Sequence, residues 1–295
     1  MSVVVIINPV AGGSRRGLSV EERVRLAREA LVRLHVEGRV ELTREAGHGS
    51  ELAREAVAQG CTLVVAWGGD GTINEVASQL VGTGTGLGIV RAGSGNGLAR
   101  ELGIPAMPEQ ALATALTGRE RRIDVGEIDG HPFLNIAGVG FDAAMAAEFN
   151  KLGGERRGSF RYTVRALQAA FGYVAGRYTV EVDDQRLDVD ALVIAIANLP
   201  QYGSNAVIAP RAMPDDGLFD VVVVEKRGRL GTFGLGLRLI DRTIDKAAGV
   251  TILRGARVRV TGAGPLPFHV DGEPYAGGAS VVARIHPAAL RVNVP

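Results

Sequence analysis

Cysteine is almost absent: Cys61 is the only one in 295 residues. That excludes an intrachain disulfide and any cysteine-rich metal site. Lysine is nearly as scarce. Lys151, Lys226 and Lys246 are the only three, and all lie beyond the first 120 residues, so a protein-kinase lysine is missing from that half. Neither sign of charge is in excess: 33 basic residues face 32 acidic ones, which argues against a dedicated nucleic-acid binder. No apolar run reaches the ~18 residues of a membrane-spanning helix. The apolar start lacks a positive leader, because Arg15 and Arg16 come after it, the reverse of a secretory signal. The expectation is a cytoplasmic chain, with peripheral membrane contact left open. The histidines (His35, His48, His131, His269 and His286) show no metal-ligand spacing. There is no G-x-x-x-x-G-K-S/T, hence no Walker-type site, and Ser94 is not in a G-x-S-x-G elbow.

Apolar residues make up 46% and charged residues 22%, enough to build a core. The length suits about two domains of ~150 residues. Strand and helix patterns alternate up to about residue 120. Val3–Asn8, a short stretch ending near Thr43, Thr62–Trp67 and Leu87–Val90 read as strands. Helices are expected from Ser19, where Ser19 and Glu22 have capping-box spacing, from Ser50, and from Thr72 to Leu80. That order predicts a parallel sheet covered by helices. Beyond Arg122 the pattern becomes mostly strands: Ile123–Ile128, Pro132–Val139, Tyr178–Val182, Arg186–Ala197, Phe219–Val224, and three more between 257 and 285. Helical insertions are expected near 141–150, 158–173 and 229–246. The fold class read from this is an α/β domain with a parallel sheet, residues 1–123 joined by 287–295, plus a β-rich sandwich domain over 124–286.

The 41 glycines cluster, as they do where backbone approaches a ligand. Trp67-Gly68-Gly69-Asp70-Gly71-Thr72-Ile73-Asn74-Glu75 leaves a strand and opens a helix, and helix N-terminal amides bind phosphate oxygens. Asp70 beside phosphates implies Mg²⁺, its water shell, or an acceptor hydroxyl losing a proton. The alternative is that Asp70 only caps the helix. A second strand–turn–helix loop runs Arg91-Ala92-Gly93-Ser94-Gly95-Asn96-Gly97. There Ser94 and Asn96 either meet phosphate or ribose, or Asn96 simply supplies a left-handed turn. Asn8-Pro9-Val10-Ala11-Gly12-Gly13-Ser14 ends a third strand. Ligands of open α/β sheets bind beyond strand carboxyl ends, so three such loops make one nucleotide-sized site. Gly138-Val139-Gly140-Phe141-Asp142-Ala143 fits a loose dinucleotide fingerprint but lacks the βαβ context.

These three loops, with Ile123-Asp124-Val125-Gly126, Phe133 to Asp142, Pro214-Asp215-Asp216-Gly217-Leu218 and Val270-Asp271-Gly272-Glu273, resemble the diacylglycerol kinase/sphingosine kinase lipid-kinase family in its soluble bacterial form. The resemblance covers nearly the whole chain in order. It implies an ATP-holding α/β domain related to NAD kinases and phosphofructokinases, and a β-rich lipid-substrate domain joined to it across a cleft. By resemblance ATP would contact Asn8, Thr43, Gly68, Gly69, Asp70, Gly71, Thr72, Ile73, Asn74 and Ser94. Glu273, or alternatively Asp70, would take the proton of a lipid alcohol. A structural Mg²⁺ would sit on Asp216 with the carbonyls of Met213 and Leu218, and Asp124 would join an acidic network near the phosphates. Soluble diacylglycerol kinases typically carry Asp where this chain has Gly97, which brings Ser94–Gly97 closer to sphingosine and ceramide kinases. The implied partners are ATP, Mg²⁺ and a lipid at a membrane surface, with no nucleic acid; a homodimer is left open. Lys151, Arg156, Arg157, Arg161 and Arg165, interleaved with Phe160, Tyr162, Leu167, Phe171 and Tyr173, suit an anionic membrane surface, or form a solvated helix with one apolar side. Arg227 and Arg229 before Leu230 raise the same pair of readings. An NAD or small-polyol kinase and a non-catalytic ATP or lipid sensor remain as alternatives.

Overall fold

Five consecutive apolar residues leave a strand no polar face, so Val3–Ile7 can only run through the middle of a sheet covered on both sides. In the computed structural model all five are at most 1% exposed. The structure describes residues 2–12, 18–141, 143–144, 146, 175–201, 206–225, 234–235 and 238–295. They divide into two compact units, one of residues 1–123 with 288–295 and one of 124–287.

The first unit runs β1 (Ser2–Ile7), α1 (Val20–Arg33), β2 (Glu37–Leu42), α2 (His48–Ala58), β3 (Leu63–Gly68), α3 (Asp70–Leu80), β4 (Gly86–Arg91), α4 (Gly97–Glu101) and α5 (Pro108–Thr117). β2, β1, β3 and β4 lie side by side, all parallel. Their carboxyl ends therefore share one edge. α1 begins on the capping box expected there: Glu22 N donates to Ser19 Oγ at 3.2 Å and Ser19 N to Glu22 Oε2 at 2.7 Å. α2 begins at His48 instead of Ser50. The reason is tertiary: the Glu75 carboxylate accepts the amides of Gly47 at 2.9 Å and Gly49 at 3.1 Å, which extends the helix start toward it.

β5 (Arg119–Ile128) leads into the second unit, followed by β6 (His131–Phe133), β7 (Ile136–Gly140), β8 (Gly176–Val182), β9 (Gln185–Ala197), β10 (Phe219–Glu225), β11 (Val250–Gly255), β12 (Arg257–Gly262), β13 (Phe268–Val270), β14 (Glu273–Tyr275) and β15 (Ser280–Val294). Pairing among β7 to β14 is antiparallel. The period of two along β9 sends Ile194 and Ile196 into one core cluster, with Phe133, Phe219 and Phe268, and sends Ala195 and Ala197 into another, with Ile208 and Val222. Phe133 and Phe219 stack at 5.6 Å. β9 and β10 are thus covered on both faces, as in a sandwich interior. β15 pairs with β12 through residues 280–284, and its far end, Arg291 and Val292, runs parallel to β4 of the first unit.

Two features depart from the sequence reading. Pro132–Val139 is not one strand. It breaks after Phe133 because the amides of Leu134, Asn135 and Ile136 all donate to the Asp271 carboxylate rather than to a ladder. β11 and β14 were not expected as strands; each is short and is fixed by its cross-strand partner.

Candidate active site

Parallel pairing continues one step past each strand end. Asn8 N donates to Trp67 O at 2.9 Å, Thr43 N to Ile7 O at 3.0 Å, and Ala92 N to Gly68 O at 2.7 Å. The starts of four loops are therefore held level at the carboxyl edge of the first unit. The Asn8 side chain adds a bond from Nδ2 to Thr72 Oγ1 at 2.8 Å, tying the first loop to the opening of α3. Asn8, Thr43, Thr72 and the 68–71 segment are thus brought together.

α3 starts on Gly69, and no side chain caps it. Its first amides are left for solvent or a ligand. Asp70 does cap a helix, but the neighbouring one. Its Oδ2 accepts the amide of Asn96 and its Oδ1 the amide of Gly97, each at 2.8 Å, at the start of α4. Asn96 is left-handed, φ 52°. Its side chain closes the turn on Gly93, accepting that amide at 2.9 Å and donating to its carbonyl at 2.6 Å.

Two glycines of this second loop leave no room for a side chain. A Cβ on Gly93 would lie 2.9 Å from Gly69 Cα, and one on Gly95 would lie 2.6 Å from Asp70 Oδ2. Gly71 differs: among the described residues a Cβ there meets nothing within 4 Å. Ser94 is exposed at the tip of the loop.

Two residues that sequence reasoning passed over support the site. Arg23 is 5% exposed, and its guanidinium donates to the carbonyls of Asn8 at 3.2 Å and Ala11 at 2.7 Å. Burial pushes its pKa down. Glu75 lies within the recognised motif but turns away to cap α2. The pull of a helix N-terminus on a carboxylate is the only local signal for the roles of Asp70 and Glu75, and it does not say which helix.

In the second unit Asp271-Gly272 is the two-residue turn of the β13–β14 hairpin, with φ of 48° and 91°, as type I′ geometry demands. The Asp271 turn is partly exposed while its carboxylate is enclosed. Burial pushes its pKa up, against the pull of the three amides it accepts. Glu273 follows on the exposed side of the hairpin, and its charge helps raise the pKa of Tyr275 after burial.

Asp124 is 2% exposed. Its Oδ2 accepts the amide of Gly217 at 2.7 Å and its own amide donates to Pro214 O at 2.6 Å, so it holds the 214–217 turn. Asn198 bridges this region, donating to Asp124 O at 3.0 Å and Leu134 O at 2.9 Å, while its own buried Oδ1 has no partner among the described residues.

One carboxylate and two carbonyls would be a reasonable oxygen set for Mg²⁺. Asp216, however, is already engaged. Its Oδ1 accepts the Leu218 amide at 3.1 Å and its Oδ2 is ion-paired with Arg254. The Met213–Asp216–Leu218 set as it stands does not fit a divalent ion. Among the described residues, no group of three or more His, Cys, Asp and Glu side chains could hold a metal. The basic, aromatic-bearing stretch from Lys151 to Tyr173 lies outside the described residues, as do Arg227, Arg229, Asp142, Gly13 and Ser14. Among the described residues no helix is long and apolar enough to cross a membrane.

Both halves of the chain match known families. Residues 2–128 match the diacylglycerol kinase catalytic domain, and residues 135–294 match the YegS C-terminal NAD kinase beta sandwich-like domain. A Pseudomonas aeruginosa protein named "Probable lipid kinase YegS-like" is 34% identical over 280 residues, covering 93% of this chain and 90% of that one. A solved Bacillus anthracis structure superposes with a TM-score of 0.84 at 19% identity, over 100% of this chain and 95% of that one. A second, described as a diacylglycerol kinase from the same organism, gives 0.77 at 16%, over 100% and 97%.

Proposed function

Because the chain belongs to the diacylglycerol kinase and YegS-like lipid-kinase family, we propose that it transfers the γ-phosphate of ATP to the hydroxyl of a membrane lipid, of the diacylglycerol or the sphingoid and ceramide type. It is an ATP-dependent phosphotransferase with an alcohol as acceptor. The observation that carries the nucleotide half is the level row of loops at Asn8, Thr43, Gly69 and Ala92, with the uncapped start of α3 among them.

Phosphoryl transfer depends on positioning and charge neutralisation more than on covalent chemistry. The amides of residues 70–72 are assigned to the phosphates, with Asn8, Thr43, Asn74 and Ser94 around the nucleotide; Ile73 is 1% exposed and its amide donates to Gly69 O, so it serves the core instead. Asp70 is a positioning residue in this reading, since both of its oxygens serve the second loop. Glu273, exposed on its hairpin, is assigned as the general base that takes the alcohol proton. Mg²⁺ is assigned to the nucleotide as its counter-ion, where it neutralises charge on the transferring group. Gly97 leaves that position without a carboxylate, which favours the sphingoid or ceramide class. Lipid uptake from a membrane surface, the cytoplasmic location and a homodimer belong to the same proposal.

The test is radiolabelled ATP presented with a panel of lipids in mixed micelles and with NAD. Label on a lipid, identified by mass spectrometry, is the expected result. Label on NAD alone overturns the lipid reading. Nucleotide binding without turnover of any acceptor favours a sensor.

A further inference from the structure

The family resemblance puts a metal ion on the Asp216 turn; this chain puts a guanidinium there. We propose that Arg254 is the built-in cation of the Asp216–Leu218 turn, and that the β-rich unit is therefore held together without a divalent ion.

The placement follows from register. β10 starts directly after the turn, and in its pairing with β11 Asp220 stands opposite Arg254. Arg254 Nε donates to Asp220 Oδ1 at 2.8 Å, and its Nη2 reaches back to Asp216 Oδ2. One planar fork thus spans two carboxylates four positions apart, a geometry that suits arginine. The other side of the turn is closed by amides. Leu218 N lies on Asp216 Oδ1, and Gly217 N, at φ 74°, lies on Asp124.

Charge decides between metal and guanidinium. Asp220 has a side chain 2% exposed, and its second oxygen is buried with no hydrogen-bond partner among the described residues. A divalent ion entering at Asp216 would have to push Nη2 aside and loosen the cation that serves Asp220. A buried carboxylate robbed of its partner is costly. Arg254 is itself about half exposed, so water screens part of the attraction to Asp216; the Asp220 end is the enclosed one. The other cation acting on Asp220 is Arg211, whose ion pair is with Asp245 at 3.2 Å. It is not bonded to the turn.

The experiment is thermal unfolding of the full chain without nucleotide, after chelation, with and without millimolar MgCl₂ or CaCl₂. The wild type is expected to melt at the same temperature in both, and to carry no stoichiometric divalent metal by elemental analysis. Arg254→Met should melt roughly 3–8 °C lower in chelator and recover part of that loss when the metal is added. Arg254→Lys should fall between them. Adding Asp216→Asn to Arg254→Met should abolish the metal response.

The proposal is overturned if chelator lowers the wild-type melting temperature and Mg²⁺ restores it, or if metal copurifies and Asp216→Asn releases it. It is equally overturned if Arg254→Met melts like the wild type, or is destabilised yet ignores metal. Should Arg254→Met not fold, the wild-type melts and metal content decide alone. None of these readouts involves ATP or lipid, so the kinase reading stands or falls separately.

Discussion

The Asp70 carboxylate takes the backbone amide of Gly97 at 2.8 Å. The aspartate of the first glycine loop thereby holds the first amides of a helix that starts 27 residues later. Replacing it reaches both loops. Asp70→Asn keeps one acceptor but turns an amide group toward a backbone N–H. It should cost about 1–3 kcal/mol of stability, read by urea unfolding, and raise the KM for ATP. Unchanged stability would mean that the clamp does not form in solution.

Gly71 separates fold from function. A Cβ there meets no atom of the described residues within 4 Å, and alanine is the better helix former by up to about 1 kcal/mol. Gly71→Ala should leave the melting temperature equal or higher while weakening ATP binding at least roughly tenfold, since the methyl would occupy the space assigned to a phosphate. Gly95→Ala, placed 2.6 Å from Asp70 Oδ2, should lose both. Isothermal titration and thermal melts distinguish the two patterns.

Glu273→Gln should lower kcat by about 10²–10⁴-fold, the usual yield of general-base catalysis. It should leave the KM for ATP and the melting temperature unaltered, because the residue is exposed. A variant with near-normal kcat moves the base elsewhere.

Asp271 carries a pH signature. Its carboxyl titrates above its ordinary value of 3.8 in the folded state because it is buried. A raised aspartate pKa means that the folded state binds the proton more tightly than the unfolded chain. The contribution of this group to stability is therefore greatest below the ordinary value, and it declines as pH rises through the raised one. Wild-type stability minus that of Asp271→Asn should fall across that window and level off above it. Urea unfolding at a series of pH values checks the sign; a difference that grows with pH would contradict it.

Much of the fold is legible because its causes are local. Val3–Ile7 and Leu63–Trp67 are too apolar to be anything but central strands, and Ser19 and Glu22 mark a helix start within one turn. The site is legible only as a set of loops. What each acidic residue holds depends on partners brought close by folding. Asp70 meets Asn96 across 26 residues, and Asp271 meets Leu134 across 137. Arg254 meets Asp216 only through the β10–β11 register. Carboxylates that look like metal or proton handlers in the sequence are largely occupied with backbone amides. The same preference for anions that lets a helix start bind phosphate lets it bind them.

The last strand imposes an order on synthesis. Leu290, Val292 and Val294 are at most 1% exposed, Asn293 Nδ2 donates to Ala115 O at 2.7 Å, and Arg291 and Val292 run beside β4. While the ribosome is still translating the 164 residues of the second unit, the nascent nucleotide half must wait with the rim of β4 uncovered. An uncovered rim of that kind invites pairing with other chains. Fragments ending near residue 123 should accordingly aggregate, and co-expressing the missing C-terminal segment should rescue them.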